Sequence, residues 1–198
     1  MKLNILFVCL GNICRSPSAE AVFKGYVKEK GEDHKFEIDS AGTYGYHEGE
    51  PADSRMQTHA LKRGYNLTSI SRAFNPTADW DKFDYIVAMD NSNLRNLSNM
   101  ARNSNDLTKL CKLTDFSNNF SHQEVPDPYY GGDQGFELVL DILEEGTNDV
   151  NHLFNQLNGC WAAIIYHENT KEIQLVSDRY RSVPLFYAVK EAITEWRE

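Results

Sequence analysis

The stretch Leu3-Asn4-Ile5-Leu6-Phe7-Val8-Cys9-Leu10-Gly11-Asn12-Ile13-Cys14-Arg15-Ser16-Pro17 decides how the rest of the chain is read. Leu3 to Cys9 is a short, nearly continuous apolar run, the pattern of a strand covered on both faces. Gly11 and Asn12 interrupt it. From Ser18 to Lys30 the composition is helical, with Ala19, Val22, Phe23, Tyr26 and Val27 on one face. The expected unit is therefore strand, loop and helix, with the Cys9 thiol at the end of the strand and Arg15 where the helix opens.

The pattern repeats outward from this unit. Phe36 to Ser40 alternates as a strand, Asp53 to Arg63 reads as a helix stopped by Gly64, and Tyr85 to Met89 is another buried strand. Leu94, Leu97, Met100 and Ala101 give a helix over Asn91 to Arg102, and Leu107 to Leu113 supplies a fourth strand. From Gly135, apolar residues Val139, Leu143, Val150, Phe154 and Leu157 recur at helical spacing, ending near Asn158-Gly159. This alternation predicts an α/β fold, a four-stranded parallel sheet with helices on both faces in the Rossmann-like manner. Ligands gather at the carboxyl ends of such strands, where Cys9 falls. Beyond the helix the texture changes. Trp161 to His167 and Ile173 to Ser177 read as strands joined by the polar turn Glu168 to Lys171, with a third strand over Val183 to Val189. The expected organisation is an α/β domain over residues 1–157 and a small antiparallel β extension over residues 158–198.

With 198 residues the chain has material for one substantial core and an appendage. A net charge of -9 argues against a protein that coats nucleic acid or an anionic membrane, because both need surplus Lys and Arg. No apolar run reaches the length of a membrane span, and the start lacks the form of a signal peptide, so a cytoplasmic location is expected. Cys9, Cys14, Cys111 and Cys160 are then expected as thiols; none has zinc-site spacing, and neither metal nor cofactor is expected.

An anionic ligand would need a local trap, and the loop from Cys9 to Pro17 has the parts of one. The backbone N–H groups of Leu10, Gly11, Asn12, Ile13, Cys14 and Arg15, wrapped around one point at a helix N-terminus, suit a phosphate dianion. Arg15 adds a planar, always-charged fork. The same field favours the thiolate of Cys9, the form that attacks phosphorus. Ser16 is placed to donate to that sulfur, and Asn12 to take a left-handed turn. Cys-x5-Arg alone is a weak signal, because a buried cysteine at a strand end is usually only a small core residue. Likewise Asp127, in Val125-Pro126-Asp127-Pro128-Tyr129-Tyr130, reads on turn chemistry alone as an ordinary Asp-Pro turn.

The full run from Val8 to Pro17 resembles the signature of the low-molecular-weight protein tyrosine phosphatases, and the resemblance covers about residues 1–157. It implies hydrolysis of phosphotyrosine in proteins through a cysteinyl-phosphate, with Cys9 as nucleophile, Arg15 as clamp and Asp127 as general acid, the family's acid standing in an Asp-Pro-Tyr motif. It implies pocket walls at Tyr46, Tyr129 and Tyr130. It also implies that Ser40, in Asp39-Ser40-Ala41-Gly42-Thr43, braces Asn12, and that Arg72 and Asp90 support the site. One departure stands out: where many members carry a His beside an Arg, this chain has Thr68-Ser69-Ile70-Ser71-Arg72. Relatives with a cysteine at position 14 form a reversible disulfide with the nucleophile; a simple space-filling role for Cys14 is the alternative. The six histidines show no partner pattern and are read as non-catalytic.

Two other functions compete. Arsenate reduction occurs on the same fold but needs further thiols to relay a disulfide, and Cys111 and Cys160 are single and far apart. A phosphate-binding module without turnover is the other, against which the intact Cys9, Arg15 and Asp127 argue.

The tail, in Leu157 to Tyr166 and Ser177 to Tyr187, is similar to later strands of the glutaminase domain of asparagine synthetase-like amidotransferases. Those enzymes use an amino-terminal cysteine, and this chain begins Met1-Lys2, so no glutaminase activity is expected. A partial sheet leaves strand edges unpaired, which predicts self-association through the extension. A light-scattering mass that stays monomeric at all concentrations would contradict this.

Overall fold

The structure is a computed structural model that describes residues 2–116, 122–157, 162–167 and 172–177. They fall into two compact units divided after Asn151, a point inside the last helix.

In the first unit, strand β1 (Leu3–Cys9) lies at the centre of a sheet. It leads through helix α1 (Arg15–Glu29) to the parallel strand β2 (Phe36–Gly42). On its other side β1 pairs in parallel with β3 (Tyr85–Ala88), which pairs with β4 (Leu110–Lys112). The order is β2-β1-β3-β4, so successive crossovers run in opposite directions from β1. Right-handed connections then put α1 on one face and α4 (Asn91–Met100) on the other, and a crevice opens between the carboxyl ends of β1 and β3. Cys9 ends one of these strands and Asp90 follows the other.

Two-sided cover explains the unbroken apolar sequence of β1. Leu6 and Val8 pack with Ala41, Phe74, Trp80, Phe83, Ile86 and Leu97. Phe7, from the alternate positions, meets Phe23 of α1 edge-on, and Phe23 meets Phe36 of β2 in the same way. Phe23 is fully buried, a contribution of roughly 2–3 kcal/mol.

Several boundaries move from where the sequence put them. Helix α1 begins at Arg15, ahead of the helical composition that sets in at Ser18, because Pro17 in the first turn has no N–H to lose there. The expected helix over Asp53 to Arg63 is α2 (Ser54–Lys62), with Asp53 as its cap, accepting from Arg55 N. The strand expected over Leu107 to Leu113 is shorter. Leu107 and Thr108 belong to a brief helix α5 (Ser104–Thr108), whose cap Asn103 accepts from Asp106 N, and only Leu110–Lys112 joins β3. A four-residue helix α3 (Asp79–Lys82), which buries Trp80, had no periodic signal to announce it. Helix α6 (Gly132–Leu157) starts one turn before Gly135.

In the second unit, β5 (Ala162–His167) and β6 (Glu172–Ser177) form an antiparallel pair, from Ala162 opposite Ser177 to His167 opposite Glu172. The expected turn over 168–171, the strand over 183–189 and the rest of the tail lie outside the described residues. No helix of the described residues is long and apolar enough to cross a membrane.

Candidate active site

The crevice between β1 and β3 holds a cleft of about 220 Å³. Its walls are Cys9, Leu10, Gly11, Ile13, Cys14, Arg15, His47, Asp127 and Tyr129. Residues from opposite ends of the sequence thus meet in one place.

The loop from Leu10 to Cys14 turns back on itself through Asn12, whose φ of 55° is the one left-handed value among the described non-glycine residues. Asparagine tolerates this region better than other side chains because its short amide bonds locally. Here the amide is fully used. Asn12 Nδ2 donates to Ser16 Oγ and to Ser40 Oγ, both at 2.9 Å, and Asn12 Oδ1 accepts from the backbone N–H of Arg72 at 2.9 Å. Ser40 in turn donates to Glu20 Oε2 at 2.6 Å. Ser71, within the segment that lacks the family's histidine, donates from Oγ to the Gly11 carbonyl at 3.0 Å. A buried polar network is sound only when its members are satisfied, and this one is closed without a histidine.

Cys9 Sγ and Ser16 Oγ lie 3.1 Å apart. Because Ser16 Oγ already accepts from Asn12, its own proton is available to the sulfur or to the Ala41 carbonyl at 3.2 Å. No side chain caps the N-terminus of α1, which leaves its first N–H groups to face an anion in the cleft. Neither Cys9 nor Cys14 is in a disulfide. Burial, then Asp53 and Cys9, push the Cys14 thiol up to about 12, so it is fully protonated at neutral pH.

Arg15 is 4% exposed and reaches across the cleft. Its Nη1 donates to Asp90 Oδ2 at 2.5 Å and to the Val125 carbonyl at 3.2 Å, and its Nη2 donates to Asp127 Oδ2 at 3.0 Å. Burial works against the cation. Cys9, Asp127 and Asp90 outweigh it, so the guanidinium pKa lies above its ordinary value. Asp90 also caps α4, accepting from Asn93 N at 2.6 Å, and that fixes the carboxylate that aims Arg15. Asp127 stands extended before Pro128, as the residue before proline must, and caps the turn Pro128–Tyr130 by accepting from Tyr129 N at 3.1 Å. Its side chain is half-exposed, turned toward the cleft mouth.

The remaining expected residues separate. Tyr129 lines the cleft. Tyr46 is 78% exposed and stacks on Tyr44, with ring centroids 5.6 Å apart, and the wall beside Gly11 is His47, braced by Glu50 at 2.7 Å. The side chain of Tyr130 lies outside what the structure describes. Arg72 supports Asn12 through its backbone only; its guanidinium, raised above its ordinary pKa by Asp79 and Asp39 against the cost of burial, binds those carboxylates at 2.9 Å. Sequence reasoning missed Glu20, Ser71 and His47. Glu20 had one usable signal, a carboxylate one turn after Ser16 on a helix whose neighbours Ala19 and Phe23 are core residues. Among the described residues no cluster of His, Cys, Asp and Glu is arranged to hold a metal ion.

Comparison with known proteins identifies the family of the chain. Residues 4–159 match the family described as low molecular weight phosphotyrosine protein phosphatase, and residues 129–195 match a glutamine amidotransferase domain family. The low molecular weight protein-tyrosine-phosphatase of Streptomyces coelicolor is 43% identical over 150 residues, 74% of this chain and 90% of that protein. The human low molecular weight phosphotyrosine protein phosphatase is 42% identical over 140 residues, 69% of this chain and 85% of its own. The crystal structure of a protein tyrosine phosphatase from Entamoeba histolytica, with Hepes in its active site, superposes with a TM-score of 0.75 at 45% identity, over 78% of this chain and 98% of that one. With its central strand, anion-ready loop and opposed carboxylate all inside the matched region, the chain belongs to the low molecular weight protein tyrosine phosphatases and is a hydrolase of that type.

Proposed function

We propose that the chain hydrolyses phosphotyrosine in proteins through a cysteinyl-phosphate formed on Cys9. The observation that carries this reading is the meeting of a thiol, a guanidinium and a carboxylate in one cleft, with Arg15 Nη2 held 3.0 Å from Asp127 Oδ2. Before substrate binds, Arg15 and Asp127 neutralise each other. An incoming phosphoryl dianion takes the guanidinium fork and the loop N–H groups, and Asp127 is released toward the leaving oxygen.

In the first step the Cys9 thiolate forms a bond to phosphorus as the phosphorus–phenolate bond breaks, and Asp127, which takes up a proton from solvent once Arg15 has turned to the phosphoryl group, passes that proton to the phenolate. In the second, a water attacks phosphorus, Asp127 takes its proton, and the sulfur leaves, its charge met by the Ser16 hydroxyl. Inorganic phosphate and the Cys9 thiolate result, with Asp127 protonated again. Leu10, Ile13, His47 and Tyr129 offer an aromatic ester apolar surface on several sides.

A phosphotyrosine peptide is the test. Rapid quenching should trap phosphoryl on Cys9, and Asp127→Ala should lower kcat/KM by about 10²-fold or more. A peptide left intact while inorganic phosphate still binds would instead mark a recognition module without turnover.

A further inference from the structure

We propose that His59 is a positioning residue for the general acid, holding the start of α6, and with it the Asp127 loop, against α2. The inference rests on the phosphatase reading above. Between Asp127 and the body of α6 the chain contains Gly131, Gly132 and Gly135, with Gly132 at a φ of 59°. Such a segment has little stiffness of its own. Its geometry must come from outside.

Helix α2 supplies the grip. Arg55, His59 and Arg63 recur every four residues and so share one face. The His59 ring, 6% exposed, stacks on Phe136 with centroids 5.5 Å apart and planes 14° from parallel. Its Nδ1 lies 2.5 Å from Glu137 Oε1, and its Nε2 lies 3.5 Å from Asp133 Oδ1. Both ring nitrogens therefore face the first turns of α6. One turn earlier, the Arg55 guanidinium sits 5.3 Å from the ring centre of Tyr129 and 5.0 Å from that of Phe136. One turn later, Arg63 binds Glu137, Asp141 and Glu144. The Glu137 carboxyl is held below its ordinary pKa by the hydrogen bond with His59 first and by Arg63 second, so it stays an acceptor across the neutral range.

The other end of α2 is tied to the phosphate loop, since the N–H of its cap Asp53 donates to the Ile13 carbonyl at 2.8 Å. One short helix thus indexes both halves of the site. Of the three, His59 is the buried side chain, as Arg55 and Arg63 remain partly exposed.

The readout is dependence on the leaving group, which a general loss of structure does not imitate. A nitrophenolate departs with little help from an acid, whereas a phenolate needs the proton. His59→Ala should lower kcat/KM for phenyl phosphate about tenfold and for p-nitrophenyl phosphate about threefold or less, with inhibition by inorganic phosphate unchanged. His59→Gln, which keeps a donor toward Glu137, should recover most of the loss. Should His59→Ala fail to fold, Glu137→Gln is expected to show the same selective fall. An equal fall on both esters, or none, overturns the inference. A wild-type protein inactive on both would overturn the phosphatase reading instead.

Discussion

Cys9→Ser is expected to leave no measurable hydrolysis of an aryl phosphate, a fall in kcat of at least about 10⁴-fold. The exchange keeps the volume of a side chain that is 3% exposed at the end of β1, so the fold has no reason to change, and a thermal melt should superimpose on that of the wild type. What changes is the atom. The pocket around Sγ offers the Ser16 hydroxyl and the uncapped end of α1, groups that stabilise an anion on sulfur, and no base among the described residues is hydrogen-bonded to Sγ to make one from a serine. Asp127, the carboxylate that lines the cleft, is paired with Arg15 and, in the proposed mechanism, serves the leaving group. Inorganic phosphate should still bind, since the loop and Arg15 are intact. Retention of a tenth of the wild-type rate would move the nucleophile elsewhere and remove the proposed mechanism.

Arg15→Lys should be nearly as damaging, with kcat/KM lowered about 10³-fold and inhibition by inorganic phosphate weakened in parallel. The guanidinium touches Asp90, Asp127 and the Val125 carbonyl together, and only a planar fork has donors in enough directions to keep these while meeting two phosphoryl oxygens. Lysine offers a single point of charge. Asp90, largely buried, would lose its partner, and breaking such a pair costs on the order of 3 kcal/mol, readable by chemical denaturation. A lysine variant with near-normal kcat/KM would show that loop amides alone bind the phosphoryl group.

The strands and the long helices could be read from the sequence because their apolar residues repeat at short range. Leu3 to Cys9 and Tyr85 to Met89 announce themselves by being covered on two sides. Leu107 to Leu113 misled because leucine and threonine suit either structure, and the decision lay with the Asn103 cap just before them. The residues proposed to react were visible for a different reason: Cys9 to Pro17 is one contiguous loop, and Asp127 has a motif of its own. What escaped were partners chosen by the fold. His59 and Glu137, or Glu20 and Ser40, are separated widely in sequence, and no local pattern marks a histidine whose ring will find a carboxylate on a distant helix. Tyr46 shows the converse, since the residue type suited a pocket wall while its backbone turns the ring outward onto Tyr44.

The end of β2 lies hard against the phosphate loop. A methyl group on Gly42 would fall 2.8 Å from the Tyr44 carbonyl oxygen and 2.9 Å from that of Leu10. Leu10 O also accepts from Tyr44 N, and Cys9 O from Thr43 N. The nine residues from Cys9 to Pro17 are therefore a casting whose mould is elsewhere, in β2, in Ser71-Arg72 and in Glu20. Transplanted alone into another strand–helix junction, the same nonapeptide would keep its letters and lose its shape. A search for this chemistry in other chains should weigh the mould as heavily as the motif.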